Sequence, residues 1–192
     1  MADAGKPAVD RQFGDVHVPV LIAMAGLPGT GKSTIAEILS ARLGATIVSV
    51  DPIESAILRA GIDADQPTGL AAYLVAETMA EQVLSSGRSV IVDAVNAVMS
   101  ARLQWRDLAA RVGVDVRVVE VMCSDKELHR ARLEKRGRTL PNIEAGSWRA
   151  VEQSLEEYDE WKGQSALLPR VTLDTVAPIG ENVEIAFTFL AR

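Results

Sequence analysis

The chain has 192 residues, a length that suits one domain with a core of useful size. Apolar residues make up 48% and charged ones 24%, and the formal net charge of −6 argues against a whole-surface interface for DNA, RNA or an anionic membrane. A single cysteine, Cys123, excludes an internal disulfide and a cysteine-based zinc site, while His17 and His129 lack partners at metal-ligand spacing.

Residues 1–17 read as a polar leader with no apolar signal-peptide core. The longest apolar stretch, residues 18–25, is too short to span a bilayer and holds Pro19, so a cytoplasmic protein is expected. From residue 18 to 192 short β-rich runs alternate with longer helical patterns, which predicts a single α/β domain with a parallel sheet covered on both faces. The first strand spans residues 20–25, and its unbroken apolarity suits burial on both sides. A glycine-rich turn and a helix follow, with Ile35, Ile38, Leu39 and Leu43 on one face and Gly44 as its stop. A second strand over residues 46–50 ends on Asp51, and Pro52 suits the first turn of a short helix running to Gly61.

After a polar turn over residues 62–68, a helix covers residues 69–86. A third strand over residues 89–92 ends on Asp93, and a helix over residues 100–112 stops at Gly113. The fourth strand covers residues 114–122. Cys123 at its end reads as a buried, inert thiol. Ser124 and Glu127 are spaced as a capping box that opens a helix to Arg136. A loop over residues 137–146 precedes a helix over residues 147–162, whose Trp148, Val151, Leu155 and Tyr158 form a packing stripe. A fifth strand over residues 170–173 and a terminal helix over residues 181–190 complete the unit, with a strand over residues 183–190 as the alternative.

The strongest chemical signal is the run Gly26, Leu27, Pro28, Gly29, Thr30, Gly31, Lys32, Ser33. It fits G-x-x-x-x-G-K-[ST] and lies between a buried strand and a helix, the context that gives the pattern meaning. Glycines let the backbone turn successive amides inward as an anion nest, and the helix aims its positive end at the same point. Lys32 is placed to bridge the β- and γ-phosphates of ATP, Ser33 to ligate Mg²⁺, and Thr34 to meet the α-phosphate. Asp51 and Asp93 end neighbouring strands and so line the same crevice. Asp93, after the apolar Val90, Ile91 and Val92, is a candidate Mg²⁺ ligand, and Asp51 is the candidate general base for an acceptor hydroxyl.

Lys126, Arg130, Arg132, Lys135, Arg136 and Arg138 form a local basic patch in this acidic chain. Arg130 and Lys135 read as a solvated face. Arg132 and Arg136, four apart, and Arg138 read as lid residues over about 132–146 that complete the charge cage around a moving phosphoryl group. The acceptor pocket is expected from residues 51–68, Tyr73 and residues 93–99.

Together the P-loop, the acid of Ser49-Val50-Asp51, the run from Val90 to Asn96, the helix around Trp105 and the stretch Arg132 to Arg136 resemble one group. It is the small P-loop kinases that include zeta toxins, chloramphenicol phosphotransferase, gluconate kinases and the kinase half of polynucleotide kinases. The likeness covers roughly residues 20–161. It implies a three-layer P-loop NTPase fold with about five parallel strands and a helical lid, and γ-phosphate transfer from MgATP to a hydroxyl with Asp51 as base. It also implies that Asp93 holds substrate in place of metal, with Asn96 assisting. Many relatives carry an arginine shortly after the base, where this chain has Ile53, Glu54 and Ser55, which counts against a phosphorylated or polynucleotide acceptor.

The reading is therefore a small-molecule kinase, monomeric or homodimeric, with no extended nucleic acid and no membrane as partner. A zeta-type toxin or a nucleotide or polynucleotide kinase is the alternative on the same scaffold. A regulatory ATPase without an acceptor is the alternative of another class; the chain lacks the N-K-x-D motif of a GTPase switch.

Overall fold

A computed structural model describes residues 18–136 and 158–191. The leader over residues 1–17, the lid loop and helix expected over residues 137–157, Arg138 and the Arg136 side chain lie outside the described residues. In chain order the elements are β1 (Val20–Ala25), α1 (Lys32–Leu43), β2 (Thr46–Ser49), α2 (Val50–Arg59) and α3 (Thr68–Ser85). They continue with β3 (Val90–Asp93), α4 (Met99–Val112), β4 (Asp115–Met122), α5 (Lys126–Arg136), a 3-10 turn (Gly163–Leu167), β5 (Arg170–Asp174) and α6 (Ile179–Leu190).

All five strands run parallel in the order β2-β3-β1-β4-β5, so β1 lies in the middle. Its successive side chains serve opposite faces. Leu21, Ala23 and Ala25 pack with Ala72, Ala76 and Ala80 of α3 and Trp105 and Leu108 of α4. Ile22 and Met24 pack with Ile35 and Leu39 of α1 and Val183 and Ala186 of α6. An unbroken apolar strand is what two covered faces require. Cutting fully buried Ile22 back to alanine would cost about 3 kcal/mol. Among the described residues no helix is long and apolar enough to cross a membrane.

Three features differ from expectation, each for a visible reason. Strand β2 stops at Ser49, where α2 begins, so Asp51 sits in the first turn of a helix rather than at a strand end. The cap of α5 is Asp125, whose Oδ1 accepts the Leu128 amide at 3.0 Å; the Ser124 amide instead donates to Asp174 Oδ1 at 3.1 Å. Residues Tyr158 to Lys162 are not helical, because the carbonyls of Asp159 and Glu160 accept from the Arg102 guanidinium instead of from helical amides. At the C-terminus α6 is a helix, which removes the strand alternative.

Candidate active site

The crevice lies at the carboxyl edge of the sheet, where β1 opens into the P-loop and β3 ends beside it. Gly26, Gly29 and Gly31 have φ of 132°, 83° and 97°, values that favour glycine. At Gly26 the need is also steric, since a Cβ there would overlap the Val121 carbonyl. Thr30 closes the turn by donating its hydroxyl to Leu27 O at 2.9 Å. Left-handed Gly31 starts α1 with no side-chain cap, so the first-turn amides face the concave side of the loop. Lys32 is buried, with its ammonium 3.5 Å from Leu27 O at the loop's rim.

Ser33 and Asp93, sixty residues apart, meet here: the Ser33 hydroxyl donates to Asp93 Oδ2 at 2.7 Å. A hydroxyl and a carboxylate at this distance are hard oxygen donors of the kind Mg²⁺ takes from protein while keeping its other ligands from phosphate and water. The two residues fit the ion. Among the described residues no cluster of three or more His, Cys, Asp or Glu side chains could hold a metal by itself.

On one side of the P-loop a cleft of about 400 Å³ is lined by Gly29 to Ile35 except Thr30, by Arg132, and by Thr175, Ala177 and Ile179 after β5. Exposed Thr34 faces it. Arg132 donates to the Thr175 hydroxyl at 2.8 Å and to the Thr175 carbonyl at 2.9 Å. The Thr175 hydroxyl lies 2.9 Å from Thr30 O, so Arg132 reaches the P-loop through one bridging side chain. The structure thus brings Arg132 to the P-loop cleft, tied to the loop after β5. Cys123 beside it is half-buried, not buried, 3.8 Å from the guanidinium.

On the other side lie α2, α3 and the end of β3. Burial pushes the Tyr73 phenol up to about 12, with the charges of Asp51, Glu54 and Asp93 adding to the rise. The Tyr73 hydroxyl itself accepts the Asn96 amide at 3.1 Å. Thr68 donates to Glu54 Oε1 at 2.8 Å, fixing that carboxylate between the two helices. Asp93 meets the P-loop at Ser33, and Asp51 lies in the first turn of the helix that follows the neighbouring strand β2.

Asn96 does not fit its expected place. Its side chain is 1% exposed, donating from Nδ2 to Met24 O at 2.6 Å and accepting the Trp105 indole N–H at Oδ1 at 2.8 Å. Both ends of the amide are used inside the fold, so it faces away from any acceptor.

Sequence reasoning missed five residues that shape the site. Glu54 was noted only as a departure from the kinase pattern. His129 lies beneath the P-loop with Nε2 2.7 Å from Pro28 O; a carbonyl only accepts, so that nitrogen carries the proton. Leu133 packs on Leu27 beside it. Thr175 and Arg102, described below, carry no motif, and only the fold brings them near the loop.

The family model for an AAA domain matches residues 21–160, which hold the P-loop, Asp51, Asp93 and all of α5. The chain belongs to this family. It is 33% identical over 122 residues to Rv2004c, an uncharacterised protein of Mycobacterium tuberculosis, the match covering 56% of this chain and 24% of that protein. Mb2027c of Mycobacterium bovis matches to the same extent. The chain spans 24% of the length of these curated relatives. Among solved structures, a gluconokinase from Sinorhizobium meliloti superposes with a TM-score of 0.65 at 20% identity, covering 91% of this chain and 93% of that one. The APS kinase CysC of Mycobacterium tuberculosis, solved with AMPPNP and APS, gives 0.62 at 19% identity, covering 91% and 98%. Chaetomium thermophilum Kti12 with ADP-AlF3 gives 0.67 at 18%, covering 88% and 97%. At such identities the likeness concerns the fold, and this family member has the three-layer α/β fold of the small P-loop kinases.

Proposed function

We propose that this protein is a phosphotransferase that moves the γ-phosphate of MgATP to a hydroxyl of a small molecule in the cytoplasm. The observation that carries the reading is the 2.7 Å contact between Ser33 of the P-loop and Asp93 of the neighbouring strand, with Asp51 and Tyr73 on the same side. A P-loop alone argues for triphosphate binding. A carboxylate beside its Ser33, with more carboxylates on the helix after the neighbouring strand, argues for a second substrate.

In this reading the amides of the loop and of the first turn of α1 cradle the phosphates, and Lys32 neutralises the β- and γ-oxygens. Mg²⁺ held by Ser33 and Asp93 would supply charge neutralisation at the same oxygens. Arg132, fixed to Thr175, borders the nucleotide cleft and adds positive charge there. Arg136 and Arg138 are the further lid cations. Asp51 orients the acceptor hydroxyl and takes its proton as the phosphoryl group departs. Tyr73, with its phenol kept protonated, positions the acceptor. Glu54 stands where a phosphate-binding arginine would be needed, which supports an acceptor without a phosphate group.

The test is incubation with γ-labelled ATP and Mg²⁺, with and without hydroxylated metabolites, antibiotics, nucleosides and sugar nucleotides. Label on one acceptor is the expected result. Phosphate release without a labelled acceptor would favour the regulatory ATPase, and label on nucleosides or sugar nucleotides the toxin or nucleotide-kinase alternative. Asp51→Asn is expected to lower transfer about a thousandfold while ATP still binds. Lys32→Ala is expected to lose binding as well. Wild-type turnover by Asp51→Asn removes Asp51 as the base.

A further inference from the structure

Behind the crevice stands an arginine that no motif marks. Arg102 of α4 is 2% exposed, and it donates to four main-chain carbonyls. Its Nε donates to Asn96 O at 2.9 Å, and Nη2 donates to Ala97 O and Asp159 O, both at 2.8 Å. Nη1 reaches Glu160 O at 3.3 Å. The guanidinium lies 3.9 Å from the Trp161 ring centroid and 4.9 Å from that of Tyr158. A buried cation is costly unless its donors are satisfied. A planar fork with donors on several sides meets carbonyls from two chain segments at once, as lysine could not.

What Arg102 holds is the loop that leaves Asp93. Asn96 in this loop has φ of 49°, uncommon for a residue with a side chain, and its polar groups are engaged by α3, β1 and α4. Its amide N–H donates to the Tyr73 hydroxyl at 3.1 Å, its side chain joins Met24 O to Trp105, and its carbonyl takes the Arg102 bond. One residue earlier, Val95 O accepts the Gly26 amide at 3.0 Å, the first amide of the P-loop. Two residues before that, Asp93 accepts the Ser33 hydroxyl. The loop therefore touches the P-loop on its front and Arg102 on its back.

We infer that Arg102, acting through Asn96, is a positioning residue that sets Asp93 and Ser33 at the separation Mg²⁺–nucleotide requires. The inference rests on the phosphotransferase reading of the same site. A carboxylate at the end of a strand keeps several rotamers and a backbone free to shift; pinning Asn96 and Ala97 from behind removes the shift. Arg102 touches no reacting atom, and its effect belongs to the part of nucleotide affinity that needs the metal.

The test titrates AMPPNP into the full chain by calorimetry, once with Mg²⁺ and once with EDTA, and takes the ratio of the two affinities as the metal-dependent gain. Wild type is expected to show a gain that Asp93→Asn removes. Arg102→Lys, with folding checked by circular dichroism and Tm, is expected to reduce the gain about tenfold with the EDTA affinity unchanged. A lost packing contact alone would lower Tm and leave the ratio as it was. If Arg102→Lys does not fold, Asp159→Ala decides, because its Oδ2 accepts the Met99 amide at 2.8 Å from an exposed position on the same segment pair. A severalfold loss of the gain is then expected. A wild-type gain in the folded Arg102→Lys, or in Asp159→Ala where the first is unfolded, overturns the inference while Asp93→Asn still loses it. No gain in wild type, or an undiminished gain in Asp93→Asn, overturns the site reading and this inference together.

Discussion

The two sides of the crevice are built in different ways. The nucleotide side is made of contiguous backbone: eight residues, three of them glycines with positive φ, closed by a short chain from Arg132 through Thr175 to Thr30. The side proposed for an acceptor is made of side chains from separate elements: Asp51 and Glu54 on α2, Thr68 and Tyr73 on α3, and Asp93 on β3. Their charges differ too, cationic around Lys32 and Arg132, acidic around Tyr73. A backbone nest recognises phosphate whatever else the chain does, and few substitutions leave it intact. A pocket of side chains on two helices can change its specificity by substitution while the fold stays the same.

The largest effect should come from one methyl group on the backbone side. Gly26→Ala puts a Cβ into the Val121 carbonyl at a φ of 132°, which the rest of the loop cannot relieve without moving β1 or β4. A loss of about 3 kcal/mol in unfolding free energy is expected, together with loss of ATP binding. Denaturant melts and calorimetry measure both. If the variant keeps wild-type affinity, the nest is not set by this backbone and the contrast between the two sides fails.

A smaller effect is expected at Arg132, which joins the two modes of construction because it is a side chain serving the backbone side. Arg132→Ala removes two bonds to Thr175 and a charge beside the cleft, and should weaken ATP binding about tenfold with little change in Tm. An unaltered affinity combined with a large fall in Tm would make it a fold anchor and not part of the nucleotide side.

This division also explains what could be read from the sequence. The P-loop was legible because its ligand contacts lie within eight consecutive residues, and the strands because burial on both faces leaves unbroken apolar runs such as Leu21 to Ala25. Asp93 was legible from the strand it ends. Asp51 was expected at a strand end but lies two residues past it, in the first turn of the helix that starts there. His129 was not legible as a support of the P-loop, because its partner is a carbonyl 101 residues away and any buried histidine has the same local sequence. Asn96 was misplaced for a related reason. An asparagine after a strand-end acid suits a pocket equally well, and only the positions of Met24 and Trp105 show that both ends of its amide are taken. Capping moved from Ser124 to Asp125 because two adjacent candidates differ by one residue in where the helix starts.

The smallest effect tests the scaffold that supports the acceptor side. Glu120 of β4 accepts from Trp161 Nε1 at 2.6 Å, Thr172 at 2.8 Å and Tyr158 at 3.1 Å, and pairs with Arg170. Burial alone would raise its carboxyl, but the Trp161 and Thr172 bonds, the Arg170 charge and the Tyr158 bond outweigh that and hold it below the ordinary 4.5. A carboxyl depressed by folding adds stability that is fully present above 4.5 and lost as pH falls through the lower folded value. Glu120→Gln keeps the shape, loses the charge, and should cost about 1 kcal/mol near neutral pH. The gap in Tm between wild type and Glu120→Gln should therefore be widest near neutral pH and shrink as pH falls below 4.5. Nucleotide affinity should not change, since the bonds of Glu120 go to Tyr158, Trp161, Arg170 and Thr172 and not to the P-loop. A gap in Tm that stays constant with pH would mean that the carboxylate contributes only shape. A gap that comes with weaker nucleotide binding would mean that the two sides of the crevice share this anchor.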